Sequence, residues 1–90
     1  MDVKNTKQLP LDPVTMPGVE GTRMQWIFGA DDGVPGFAMR RFVMAPGGVI
    51  PLHGHQWEHE IYILRGTAEV FSDSATTTIR AGDAIYVRPD

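Results

Sequence analysis

The chain has 90 residues, 42% hydrophobic and 21% charged, with a formal net charge of −3. That length allows one domain, and the charge balance gives no basic footprint for nucleic acid. The absence of cysteine excludes disulfides and thiolate metal sites, no run is apolar enough for a signal peptide or membrane span, and a cytoplasmic setting is expected.

Residues 1–21 are polar and carry Pro10, Pro13 and Pro17, which forbid a helix and discourage a central strand. They are expected as an N-terminal arm, with residues 22–90 forming the main domain. In residues 22–28, Met24, Trp26 and Phe28 alternate with Arg23, Gln25 and Ile27, the pattern of a half-buried strand. A turn at Gly29–Gly33, prolonged by Pro35 and Gly36, leads to a second strand over 37–44. That strand carries arginine on both faces, Arg40 and Arg41. One of them is expected toward the interior, where it could orient an anionic substrate or pair with a carboxylate such as Glu60; the pairing is favoured.

A turn at 45–48 precedes a strand over 49–55, in which Pro51 implies an edge or a bulge. Residues 59–65 and 67–71 read as a hairpin around Arg65 and Gly66. A Thr-rich strand follows over 75–79, then a turn at 80–83 and a last strand over 84–87. No segment has helical periodicity over ten or more residues. Short strands at regular spacing, with glycine and proline between them, predict an all-β barrel or sandwich.

All three histidines, His53, His55 and His59, fall within seven residues. A His-x-His pair on an extended strand presents both imidazoles to one face, and His59 opens the next apolar run, so the three can converge. Neutral imidazole is the commonest protein ligand for divalent transition metals. Surface or structural histidines are the plain alternative, but a mid-chain cluster holding every histidine favours a metal. Trp57 is a candidate wall or cap of the pocket, with simple packing equally admissible. Glu58 and Glu60 flank His59 and alternate away from it, where either could orient a ligand imidazole. Arg40, Trp57 and Glu60 are therefore the pocket candidates beyond the three ligands.

Gly47, His53, His55, His59 and Gly66 stand at the spacing of the first cupin motif, and residues 81–89 (Ala-Gly-Asp-Ala-Ile-Tyr-Val-Arg-Pro) resemble the start of the second. The chain resembles the all-histidine branch of small cupins, since most cupins place glutamate where His59 stands. The resemblance runs from about Arg23 to Asp90. It implies a cupin jelly-roll barrel and an N-terminal arm of the kind that crosses to a partner subunit; a homodimer is expected because a barrel without its closing strands exposes a sheet edge. In the family the second motif continues to a fourth histidine and closing strands, so the barrel is expected without its last C-terminal strands, whether as a piece of a longer protein or as a shortened one.

Three imidazoles form an uncharged ligand set that leaves positions open on the ion. Such a site accepts copper, iron, nickel, zinc and, more weakly, manganese; the resemblance favours manganese, iron or copper. The leading expectation is an oxygenase or dioxygenase acting on a small organic substrate. An isomerase or lyase using the metal as Lewis acid is the runner-up, and a metal-dependent ligand-binding module is third.

Overall fold

The computed structural model of the chain describes residues 1–51, 57–72 and 74–89. They are all-β, with two short 3-10 turns at Thr6–Gln8 and Ala30–Asp32. The chain forms two compact units, Met1–Pro51 and Leu52–Asp90.

In the first unit β1 (Asp12–Pro13), β2 (Glu20–Phe28) and β3 (Met39–Val49) form one antiparallel sheet in that order. The register pairs Met24 with Phe42, Gln25 with Arg41 and Trp26 with Arg40. Arginine therefore does occupy both faces. Arg40 lies over the rings of Trp26 and Phe42, at 5.1 and 5.2 Å from their centroids, while Arg41 donates to the Gln25 side-chain oxygen at 3.1 Å.

The turn expected at 45–48 is instead a large bulge within β3. Thr22 pairs with Met44 and Glu20 with Val49, so four residues of β3 oppose Gly21 alone. Gly21 meets this mismatch with a φ of 57°, a conformation glycine adopts without steric cost. Gly48 is needed for space: a Cβ there would stand 3.0–3.1 Å from the carbonyl oxygens of Ala45, Glu20 and Gly21. Proline and glycine inside a strand bend it here without ending it.

Residues 1–21 are tied to β2. The Gln25 amide is 3% exposed and donates to the carbonyls of Thr6 (2.7 Å) and Leu9 (3.2 Å). Lys4 adds a second tie, donating to the Ile27 carbonyl at 2.8 Å, pairing with Asp32 at 2.7 Å and lying over the Phe28 ring. The Lys4 hydrogen bond, followed by the backbone N–H of Gly29, holds the Asp32 carboxyl below its ordinary pKa.

The second unit contains β4 (His59–Tyr62), β5 (Thr67–Ser72), β6 (Ala75–Arg80) and β7 (Ala84–Val87). The hairpin expected between 59–65 and 67–71 does not form. β4 pairs with β7, and β5 with β6, all antiparallel, so the β5–β6 hairpin is nested inside the β4–β7 pair. The physical reason lies at the corner. Ile63 donates to the Asp83 carbonyl and accepts from the Gly82 N–H, both at 2.9 Å, and the Gly66 carbonyl accepts from Ala81 at 3.1 Å. Residues 63–66 are thus held by the 80–83 turn, itself closed by Asp83 accepting from the Arg80 N–H at 2.8 Å. Gly66, at φ 87°, marks the place where the chain leaves one sheet for the other. In the β5–β6 pair, Ala68 faces Ile79 and Val70 faces Thr77; Ile79 is the buried apolar residue among those described. No helix among the described residues is long and apolar enough to cross a membrane.

Candidate metal centre

His59 is the first residue of β4, half-buried and in register with Val87. His53 and His55, and the part of the expected 49–55 strand beyond Pro51, lie outside the described residues. Among the described residues no group of three histidines or carboxylates forms a metal site.

His59 stands as the neutral imidazole, with one ring nitrogen engaged. The Trp57 indole N–H donates to His59 Nε2 at 2.8 Å, with the two rings edge to face at 6.3 Å and an interplanar angle of 80°. An indole nitrogen only donates, so Nε2 is an acceptor and the ring is neutral. Neutral imidazole is the form a divalent ion takes. With three histidines within seven residues of the sequence and no cysteine, the donor types fit a divalent transition metal.

Alternation along β4 puts Glu60 and Tyr62 on the face opposite His59 and Ile61. Glu60 pairs in register with Tyr86, and Ile61 with Ile85. A shallow groove of about 520 Å³ runs along this pair, lined by Glu60, Ile61, Tyr62, Ala84, Ile85 and Tyr86. Glu58 does not orient an imidazole through the bond seen here: it accepts a 2.6 Å hydrogen bond from the Tyr86 hydroxyl. That bond is the main reason the Tyr86 phenol is pushed above its ordinary 10.0, with desolvation and the Glu58 charge adding to it. The contribution of this bond to stability is present at lower pH and lost as pH rises through the raised value. Glu58→Gln should bring the Tyr86 midpoint down, read from phenolate absorbance in an alkaline titration; an unchanged midpoint would contradict the bond.

Tyr86 was not visible as a site residue from sequence. The β4–β7 register would have placed it beside Glu60, but 28 residues separate it from its partner Glu58. Arg40 belongs to the first unit and stacks on Trp26 and Phe42. Trp57 is 58% exposed and does reach a predicted ligand.

The cupin domain family model matches residues 40–90, which is 51 of 90 positions. No curated protein matches. Among solved structures, the polyketide cyclase RemF from Streptomyces resistomycificus is 31% identical with a TM-score of 0.92, and the match covers 99% of this chain. The chain spans 64% of that protein's length. With a family match over more than half of its length and the fold of a cupin-like relative, this chain belongs to the cupin domain family.

Proposed function

We propose that this cupin is a metal-dependent enzyme that activates a carbonyl group of a small, carbonyl-rich substrate toward non-redox ring closure. His53, His55 and His59 would hold one divalent ion. The similarity to a polyketide cyclase over 99% of the chain is the observation that carries this reading. Bound to uncharged imidazoles, a divalent ion keeps its full charge and supplies Lewis-acid polarisation of a carbonyl oxygen. The histidines contribute ligation and orientation, and Trp57, in contact with His59, stands at the edge of that centre. A cytoplasmic homodimer acting on a small molecule belongs to the same reading, supported by the sheet edges left unpaired among the described residues, which favour pairing between chains.

A second reading, oxygenation of a small organic substrate, draws on the same ligand set, because three protein ligands leave room for dioxygen as well as for a carbonyl. The two separate in one experiment. Protein loaded with zinc, which has no redox chemistry, should cyclise a polyketide substrate without oxygen uptake. Turnover that requires iron, copper or manganese and consumes oxygen would replace cyclisation with oxygenation.

A further inference from the structure

A neutral imidazole has one in-plane lone pair, and in His59 the Trp57 N–H occupies it at 2.8 Å. The ring proton then resides on Nδ1. A metal at Nε2 would need the same lone pair. A metal at Nδ1 would shift the proton to Nε2, leaving two N–H groups facing each other where one hydrogen bond now stands. Ligation through either nitrogen is therefore incompatible with the Trp57–His59 bond. Trp57 is more than half exposed and precedes β4, so water reaches its indole where it stands.

We propose that Trp57 competes with the metal for His59: the indole caps the ligating lone pair in metal-free protein, and loading releases it. This rests on the metal reading given above and adds a residue that sets how readily the centre fills. Trp57 is then a positioning residue acting through His59. Its effect on affinity has the opposite sign to that of the usual partner of a ligand histidine, which accepts from the ring and strengthens ligation.

The probe is zinc ion alone. Trp57→Phe keeps an aromatic ring beside His59 and removes the donor, so zinc should bind about two- to tenfold more tightly than to wild type, the range set by one hydrogen bond. In wild-type protein the indole N–H resonance of Trp57, followed by NMR, should move upfield on addition of one equivalent of zinc, while that of Trp26 stays in place. This second readout needs no variant and holds even if Trp57→Phe folds poorly. Equal or weaker zinc affinity in a folded Trp57→Phe protein, or an unmoved Trp57 resonance in zinc-saturated wild type, overturns the competition while leaving metal binding intact. A wild-type protein that takes up no zinc overturns the metal reading itself, and the competition with it.

Discussion

His59→Ala is expected to lower zinc affinity by about two orders of magnitude, and His53→Ala and His55→Ala by similar amounts. Apparent binding free energies of about 10–16 kcal/mol for four-ligand structural zinc sites imply about 3 kcal/mol per ligand. At about 1.4 kcal/mol per tenfold change, that is about a hundredfold for each imidazole removed. A three-ligand set has no spare member, so the losses should resemble one another. The His59 variant also deprives the Trp57 indole of its acceptor. Its loss should therefore also be measured from Trp57→Phe to the His59→Ala, Trp57→Phe double variant, a pair in which the competition is absent from both sides. Isothermal titration with zinc is the check, and a loss below about threefold for any one histidine would remove it from the ligand set.

Gln25→Leu should be the most damaging substitution away from the metal centre. The Gln25 side chain is buried, and its amide serves three partners: the Thr6 and Leu9 carbonyls and the Arg41 guanidinium. Leucine of similar size would leave two carbonyls and one charged donor without that partner. The expected cost is about 2–3 kcal/mol, with the bond to the charged group weighted most heavily. For a domain of this size that lowers the melting temperature by about 10–20 °C. The residues before β1 should become protease-sensitive at the same time, because beyond the β1–β2 pairing Gln25 and Lys4 tie that segment to β2. Thermal unfolding and limited proteolysis read the two effects. A melting temperature within about 2 °C of wild type would show that the N-terminal turn is held by other contacts.

Much of this was legible in the sequence wherever the information was local. Period-two alternation located β2, and strand-forming runs between turn residues located β6 and β7, each to within two residues; the clustering of every histidine within seven residues pointed to one chemistry. The failures involve partners far apart in the chain. Gly66 looks like a hairpin tip, but Ile63 bonds to residues 82 and 83, and that pairing selects β7 over β5 for β4. Residues 45–48 carry strong turn chemistry, yet the opposing strand supplies Gly21 and absorbs them as a bulge. Gln25 reads as an ordinary polar residue on an alternating strand, since nothing local shows that two carbonyls 16 and 19 residues away will meet it. Trp57 could be read as a cap from its position, but the donor–acceptor relation to His59 needed ring geometry.

This cupin is proposed to hold one divalent ion through His53, His55 and His59. Metal analysis of wild-type protein purified without added metal, beside the variant with all three histidines replaced by alanine, tests it most directly. About one ion per chain in the wild type and almost none in the variant is the predicted result. Metal-free wild-type protein that cannot be loaded, or equal metal content in the two proteins, would contradict it.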